Sequence, residues 1–270
     1  MDESAVRQYW ERNAPTWTRL SRAGYDVCRD HQTSPAFFEM LPDVNGLTGL
    51  DIGCGEGYNT RRLAARGARV VALDIAAEFV RAARQEASCG IHYLLASALE
   101  LPFPARTFDF VTAFMSLMDV AAPEVVLPEV VRMLKPGGFL QFSILHPCFS
   151  PMHRRIVRNE AGSVVAIEIA RYFERVDGEV ERWIFNAAPP EAIAGLEPFA
   201  IPRFHRTLAG WLNALAAAGL HVERSVEPSA DPRTAAARVP GLEDTLVAPN
   251  FLLLRCRLPA PAKRARKPSP

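Results

Sequence analysis

The stretch from Leu50 to Tyr58, with the sequence LDIGCGEGY, constrains the fold of this 270-residue chain more than any other. An apolar run ends in the acidic Asp51, and three glycines then alternate with larger residues before a helical pattern begins at about Asn59. This order predicts a strand, a tight turn and a helix, because glycine accepts positive φ angles and lets a ligand approach the backbone. We therefore expect a ligand at this turn.

The spacing of the glycines indicates which ligand binds. A dinucleotide-binding turn has the pattern G-x-G-x-x-G, with a pyrophosphate at the helix N-terminus, whereas residues 53–57 read G-x-G-x-G after Asp51. A carboxylate before the turn suits a ligand with an ammonium group better than a pyrophosphate. A second apolar strand, 69–73, is followed by Asp74, and an acid at that strand tip can hold both hydroxyls of a ribose. An ammonium group and a ribose together describe S-adenosylmethionine (SAM).

Three motifs in this order resemble the class I SAM-dependent methyltransferases: residues 50–74, the LPF sequence at 101–103 and the MLKPGG sequence at 133–138. The resemblance covers roughly the first 150 residues well and the remainder loosely. It implies SAM as the cofactor and an α/β fold. That fold is a Rossmann-like, seven-stranded, mostly parallel sheet with helices on both faces, and we expect an inserted β-rich cap after the fifth strand.

The resemblance also implies which residues hold the cofactor. Asp51 and the glycine turn are expected at the methionine end, and Asp74 at the ribose. Ser97 stands where many family members have an acid that accepts a hydrogen bond from the adenine amino group, so that bond should be weaker here. The predicted cofactor-binding residues of the core are Asp51, Gly53, Cys54, Gly55, Gly57, Asp74, Ile75, Ser97, Ala98, Leu99, Ala113 and Phe114.

The pattern along the chain divides it into four parts. We predict an N-terminal helical lid at 1–46, a core at 47–149 and 205–258, a substrate cap at 150–204 and a disordered basic tail at 259–270. In the lid, Pro15 is expected to break the helical pattern, and Tyr9 and Trp17 are the residues predicted to fold over the cofactor.

Alternating apolar and helical segments predict the individual elements. Strands are expected near 47–52, 69–74, 91–96, 108–113 and 138–145, and helices near 58–66, 77–88, 123–134 and 207–219, the last closed by Gly219. The KPGG sequence at 135–138 is expected to form the turn into the fifth strand. Asp109, at the start of the fourth strand, is expected to have a structural role. In the cap, Asp177-Gly178 is typical of a hairpin turn. Strands near 221–227 and 250–258 should form the antiparallel pair that commonly ends this fold.

Bulk properties exclude several classes of partner. A net charge of +1 gives no global attraction to a polyanion, and the sequence has no uninterrupted apolar run of about 18 residues. The five cysteines are scattered, with no C-x-x-C pair. We predict a cytoplasmic protein that acts on a small-molecule substrate, without a metal, a membrane or a nucleic-acid partner. A homodimer is left open.

Methyl transfer from a sulfonium is an in-line displacement with a neutral leaving group, so alignment supplies most of the catalysis. A base is needed only if the acceptor retains a proton that it does not release unaided. Two histidines are the predicted catalytic residues, because an imidazole pKa near 6.5 suits proton removal. His146 follows the fifth strand, and His205 lies where the cap rejoins the core. For each, a structural role is the alternative.

The acceptor is predicted to be small and partly apolar, since the cap is rich in aromatic and aliphatic residues. Transfer to oxygen or nitrogen is favoured over transfer to carbon. Three alternatives stay open: methylation of RNA or protein, a catalytically silent SAM-binding protein, and a nucleotide-binding dehydrogenase. Asp51 and the G-x-G-x-G spacing count against the dehydrogenase.

Overall fold

The computed structural model describes residues 1–86, 88–231, 233 and 242–260 of the chain. Its main sheet has seven strands in the order β10-β11-β5-β4-β1-β2-β3, and β11 runs antiparallel to both of its neighbours. In chain order the strands of this sheet are β1 Thr48–Ile52, β2 Arg69–Asp74, β3 Ile91–Leu95, β4 Phe108–Phe114, β5 Leu134–Leu145, β10 His221–Val226 and β11 Phe251–Arg257. The predicted fold class and the antiparallel final pair are confirmed.

Seven α-helices lie within the described ranges: α1 Glu3–Arg22, α2 Ser34–Met40, α3 Tyr58–Ala64, α4 Ala77–Gln85, α5 Pro123–Met133, α6 Pro190–Ile193 and α7 Leu208–Ala217. A π-helical turn at Arg29–Thr33 precedes α2, and 3-10 turns lie at Leu117–Asp119 and Glu243–Leu246. None of these helices is both long and apolar enough to span a bilayer.

The sheet carries an apolar core on each face because successive side chains of a strand point to opposite sides. On one face, Leu140 and Phe142 of β5 belong to the same cluster as Trp211 and Leu215 of α7. On the other face, β2, β4 and β5 pack with residues of α2, α3 and α4. Both faces are therefore covered by helices, as predicted.

The ends of α7 follow the expected capping rules. Thr207 is the N-cap, and its side-chain oxygen accepts a hydrogen bond from the amide of Gly210, 3.0 Å away. After the helix, Gly219 has a φ of 80°, the left-handed conformation that glycine adopts without strain. The helix predicted from this sequence is confirmed.

The prediction of a break at Pro15 is wrong, because α1 continues through it from Glu3 to Arg22. Proline has no amide hydrogen, so it loses one helical hydrogen bond. Tertiary contacts hold the helix on either side: the Asn13 amide exchanges two hydrogen bonds with the backbone of Ala200, at 2.9 and 3.1 Å.

The prediction of a hairpin turn at Asp177-Gly178 is also wrong. These residues lie inside β8, Val176–Trp183, which pairs with β9, Phe199–His205. The pairing register shifts between Asp177 and Glu179, so the glycine, with a φ of 92°, forms a bulge. The other cap hairpin joins β6, Arg154–Arg158, to β7, Val164–Ile169.

The KPGG sequence at 135–138 was predicted to be a turn before the fifth strand, but β5 already begins at Leu134. Leu134 pairs with Phe108, and the next pair joins Phe139 to Phe110, so the motif bulges out of the ladder. The carboxylate of Asp109 accepts hydrogen bonds from Lys135 Nζ at 2.7 Å and Thr48 N at 2.9 Å. This arrangement agrees with the structural role expected for Asp109.

The predicted division into lid, core, cap and tail remains a prediction, and the basic residues 263–267 of the tail lie outside the described residues. The structure does set α1 against both α4 and β9, so the N-terminal helix contacts the core and the cap.

Candidate active site

The glycine turn after β1 has the backbone that its sequence predicts. Gly53, Gly55 and Gly57 have φ angles of 69°, 55° and 87°. At Gly53 an added Cβ would lie 2.3 Å from Ser116 Cβ, whereas at Gly55 it would meet no atom within 4 Å. The turn is therefore closely packed at Gly53 and open at Gly55, where a ligand can approach the backbone.

Asp51 is a buried acid at the floor of the site. Its side chain accepts hydrogen bonds from the hydroxyls of Thr60 at 2.6 Å and Thr112 at 2.8 Å. Burial raises the pKa of Asp51 to about 6, although both hydroxyls oppose the shift by stabilising the carboxylate. At neutral pH this group therefore supplies a negative charge.

Asp74 lies at the tip of β2 and is 7% exposed. Its Oδ2 accepts a hydrogen bond from Gly55 N at 2.8 Å, and its Oδ1 accepts one from Ala76 N at 2.9 Å. Burial raises the pKa of Asp74 to about 6. Because each carboxylate oxygen has two lone pairs, the group can still accept hydrogen bonds from a ligand.

The Ser97 hydroxyl makes hydrogen bonds that the sequence does not predict. Its hydroxyl donates to the carboxylate of Glu3 at the start of α1 and accepts a hydrogen bond from Leu99 N at 2.9 Å. Glu3 lines the central cavity, and Ser97 does not. A carboxylate is thus present in this part of the cavity, but it comes from the N-terminal helix.

These groups surround one cavity of about 400 Å³ at the carboxyl ends of β1, β2 and β4. Its volume lies within the roughly 300–1,000 Å³ range of small-molecule sites. Ten of the predicted site residues line it: Trp17, Asp51, Gly53, Cys54, Gly55, Asp74, Ile75, Ala98, Leu99 and Phe114. The other six do not line it: Tyr9, Gly57, Ser97, Ala113, His146 and His205.

The aromatic residues of α1 that reach the cavity are Trp10 and Trp17. They are seven residues apart, which puts them on one helical face, and their ring centroids are 5.8 Å apart. Trp10 also lies 6.2 Å from the ring of Phe79 on α4, and Trp17 lies 5.5 Å from the ring of Trp183 on β8. The seven-residue spacing favours Trp10 over Tyr9 as the partner of Trp17.

Both predicted catalytic histidines are hydrogen-bonded away from the cavity. His146 is buried, with Nε2 2.8 Å from Glu227 Oε1 and Nδ1 3.1 Å from Cys148 N. His205 Nε2 lies 2.7 Å from the carbonyl oxygen of Tyr172. These contacts fit the alternative structural role, and the catalytic role of each histidine stays a prediction.

An ionic cluster beside the glycine turn was not identified from the sequence. Glu56 is 4% exposed, and its carboxylate contacts Arg22 Nε at 3.3 Å, Arg61 Nη2 at 2.9 Å and Arg29 Nη1 at 3.7 Å. The Arg29 guanidinium lies 3.8 Å from the Tyr58 ring centroid and lines the cavity. This cation is suitable for a ligand carboxylate. Among the described residues no group of three or more acidic, histidine or cysteine side chains is arranged to hold a metal.

Two more charged residues line the cavity on its cap side. Asp119 and Arg203 both line the cavity, and Arg203 Nε is 3.5 Å from Glu181 Oε2. Burial raises the pKa of Asp119 to about 7, and the Arg203 charge opposes this shift. In the sequence, Asp119 and Arg203 are 84 residues apart and share no motif, so only the folded chain brings them together.

The residues around the cavity fit SAM. Gly55 leaves open space at the backbone, the Asp74 carboxylate lies next to it, and Ile75, Ala98 and Leu99 offer apolar surface for an adenine ring. The Arg29 cation and the buried Asp51 provide opposite charges that complement an amino acid group. Ten of the sixteen residues predicted from the sequence thus line a cavity whose charged and apolar groups are compatible with SAM, and their individual roles stay predictions.

Comparison with known proteins agrees with this assignment. A family model described as "Methyltransferase domain" matches residues 50–142. A ubiquinone biosynthesis O-methyltransferase of Xanthomonas oryzae pv. oryzae is 33% identical over 138 residues, which are 50% of this chain and 53% of that protein. The biotin biosynthesis bifunctional protein BioHC of Cellvibrio japonicus is 32% identical over 163 residues, which are 59% of this chain and 29% of that protein. The chain thus spans about half or less of the length of these two curated relatives.

The similarity to a solved structure extends further along the chain. A SAM-dependent methyltransferase from Mesorhizobium loti has a TM-score of 0.66 and is 29% identical, and the match covers 83% of this chain and 96% of that chain. The similarity therefore includes most of the segment after β5, where the sequence motifs end.

Proposed function

Because this chain belongs to the class I SAM-dependent methyltransferases, we propose that it transfers the methyl group of SAM to a small, partly apolar organic acceptor. SAM is the methyl donor of this family, and when bound it supplies an electrophilic methyl group on a sulfonium. The observation that carries the proposal is the juxtaposition of the open Gly55 backbone and the Asp74 carboxylate in one cavity.

Different residues of the chain bind different parts of SAM. Asp74 accepts hydrogen bonds from the ribose hydroxyls, while its existing bond to Gly55 N keeps the turn in position. Asp51 and Arg29 complement the ammonium and carboxylate groups of the methionine part. Trp10 and Trp17 cover the cavity from α1 and exclude water from it.

At the adenine end, we assign to Glu3, and not to Ser97, the carboxylate that accepts a hydrogen bond from the adenine amino group. The Ser97 hydroxyl donates to Glu3, which orients that carboxylate at the cavity. An ionised acceptor makes a stronger hydrogen bond to an amino group than a hydroxyl does. Residue Glu3 of the N-terminal helix thus compensates for the missing acid after β3.

The acceptor part of the cavity is lined by apolar cap residues, among them Trp183, Phe185 and Ile201. This lining favours an apolar acceptor, and the net charge of +1 offers no general attraction for RNA. The Xanthomonas relative is named for the methylation of a small molecule, which supports the same class of acceptor. Strong salt dependence of acceptor binding would instead favour RNA.

The proposal is tested first by calorimetric titration of the purified protein with SAM, S-adenosylhomocysteine and NAD in parallel. We expect the first two to bind and NAD not to bind. A screen of small metabolites with radiolabelled SAM then tests for methyl transfer. Binding of NAD alone would overturn the proposal, and SAM binding without turnover on any acceptor would favour a catalytically silent SAM-binding protein.

A further inference from the structure

Asp119 occupies a fixed position at the edge of the cavity. It ends the 3-10 turn Leu117–Asp119 that follows β4, and its amide donates to Ser116 O at 3.0 Å. The Ser116 hydroxyl in turn donates to Ile52 O at 2.6 Å, at the end of β1. The turn that carries Asp119 is therefore attached to the same strand that leads into the glycine turn.

The Asp119 carboxylate has no hydrogen-bond or ion-pair partner among the residues that the structure describes. Only 8% of the residue is exposed, and it lines the cavity. Within residues 1–86, 88–231, 233 and 242–260, its side chain makes no hydrogen bond and no salt bridge within 4.0 Å. An ionised carboxylate without partners is costly to bury, and buried polar groups are rarely left unsatisfied. This carboxylate is therefore available to a molecule bound in the cavity.

The groups around Asp119 come from the two strands packed against its turn, β5 and β9. β9 contributes Arg203, which also lines the cavity, and Arg203 is paired with Glu181 of β8. At this end β5 contributes the apolar Ile144 and Leu145. Burial is the main cause that raises the pKa of Asp119 to about 7, while the Arg203 charge lowers this pKa and the Glu181 charge raises it.

The other cap residues that line this side are mostly apolar, although Asn186 is polar. Trp17, Trp183 and Phe185 all line the cavity, and the Trp17 ring lies 5.0 Å from that of Phe185. A molecule that fills this space meets aromatic surface together with one unpartnered carboxylate and one guanidinium. That combination suits an aromatic ring bearing a polar group.

We propose that Asp119 is the catalytic base of this enzyme and that the acceptor is a hydroxyl group on an aromatic or similarly apolar molecule. This inference rests on the proposed methyltransferase function. A neutral hydroxyl is a weak nucleophile until its proton is removed, so a base is needed for it. A neutral amine attacks through its free lone pair, so a base is not needed for it. The Arg203 guanidinium lines the same cavity and stabilises an acceptor that becomes an oxyanion.

The step balances without any further reagent. The hydroxyl proton passes to Asp119 Oδ while the hydroxyl oxygen forms a bond to the methyl carbon. The carbon–sulfur bond breaks, and its electron pair goes to sulfur, which becomes neutral. The products are the methyl ether, S-adenosylhomocysteine and a protonated Asp119, which then releases its proton to solvent.

The test uses the full-length protein with radiolabelled SAM and a panel of substituted phenols, each matched to the aniline of the same shape. We expect transfer to phenols, and we expect Asp119→Asn to lower kcat by about 10²- to 10⁴-fold, the typical contribution of a general base. Calorimetric affinity for SAM should change less than about twofold, because Asp119 is assigned to the acceptor. Asp109→Asn is the matched control: it makes the same substitution at the start of β4, the strand that precedes the Asp119 turn, at the end away from the cavity, and it should retain kcat.

A second readout separates a base from a structural residue. In the wild-type protein kcat should rise with pH through about 7, the pKa of Asp119, because the base must be ionised. This rise should be lost in Asp119→Asn, and Asp119→Glu should restore part of the rate. Carbon-13 NMR of protein labelled at its aspartate carboxyls should give one resonance titrating near 7 that is absent from Asp119→Asn, independently of turnover.

Several outcomes would overturn the inference. Transfer to the anilines but not the phenols would exclude the hydroxyl acceptor, as would SAM binding with no transfer to any phenol. An unchanged pH profile in Asp119→Asn would exclude Asp119 as the base. The same conclusion would follow if a His146 variant lost kcat and Asp119→Asn did not. If the protein binds no SAM, the proposed function itself is wrong, and the calorimetric titration identifies that outcome.

Discussion

The amide of Gly55 donates a hydrogen bond to the carboxylate of Asp74, with 2.8 Å between Gly55 N and Asp74 Oδ2. The two residues are 19 positions apart and lie at the ends of adjacent parallel strands, β1 and β2. The bond joins the turn expected at the methionine end of SAM to the acid expected at its ribose. A change in the Asp74 side chain or in the Gly55 backbone should therefore affect both the methionine end and the ribose end of the site.

Replacing Asp74 with Ala should weaken SAM binding by about 1 to 3 kcal/mol, the usual loss for a hydrogen bond to a charged group. Calorimetric titration of the variant with SAM measures this change. Asp109→Ala removes an acid at the far end of the sheet and should leave the affinity for SAM unchanged. If Asp74→Ala binds SAM as tightly as the wild type, the ribose does not contact this carboxylate.

Replacing Glu3 with Ala should weaken SAM binding by about 1.5 to 3 kcal/mol if its carboxylate accepts the adenine amino group. Ser97→Asp introduced into this variant should restore part of the affinity, because it places an acid at the family position. Titration with the inosine analogue of S-adenosylhomocysteine, which lacks the amino group, supplies the specific readout. The wild type should discriminate against that analogue, and Glu3→Ala should discriminate less. Equal discrimination by the two proteins would contradict the assignment.

Gly53 and Gly55 form a matched pair for substitution by alanine. At both positions a positive φ costs about 1–2 kcal/mol in a non-glycine residue. Only at Gly53 would the new Cβ also lie 2.3 Å from Ser116 Cβ, and such overpacking costs roughly a further 1–3 kcal/mol. We expect Gly53→Ala to lose more stability in urea unfolding. Gly55→Ala should mainly lose affinity for SAM, because its Cβ enters open space at the cavity. The reverse order would contradict the packing described here.

Replacing Asp119 with Asn should stabilise the protein at neutral and higher pH. The folded state raises the pKa of Asp119 from 3.8 to about 7, so between these values the folded protein holds a proton that the unfolded chain has released. The contribution of Asp119 to the free energy of unfolding therefore decreases as pH rises from about 4 to 7. The Asn variant does not undergo this decrease. Urea unfolding at several pH values should show Asp119→Asn more stable by up to a few kcal/mol at pH 8, with the difference vanishing near pH 4. A variant less stable at pH 8 would show that the carboxylate is satisfied in the folded protein.

The elements near the glycine turn were predictable because they are specified locally. The apolar run before Asp51, the spacing of the glycines and the acid at Asp74 determine a strand, a turn and a second strand tip within 25 residues. The same holds for α7, where Thr207 and Gly219 mark the two ends. At two places tertiary contacts overrode the local sequence preference. The Asn13 contact with Ala200 holds α1 near Pro15, and the pairing of β8 with β9 holds Asp177-Gly178 within a strand.

The sequence by itself determined the fold class, the cofactor and the residues that immediately follow β1 and β2. Only the tertiary structure decided which remote groups complete the site. Glu3 contacts Ser97 across 94 positions, and Asp119 and Arg203, which are 84 positions apart, line the same cavity, with no spacing rule to relate them. It also turned His146 toward Glu227 and left the Asp119 carboxylate facing the cavity. The physical reason is that hydrogen bonding and burial depend on which surfaces pack together, and in a parallel sheet those surfaces come from distant segments of the chain.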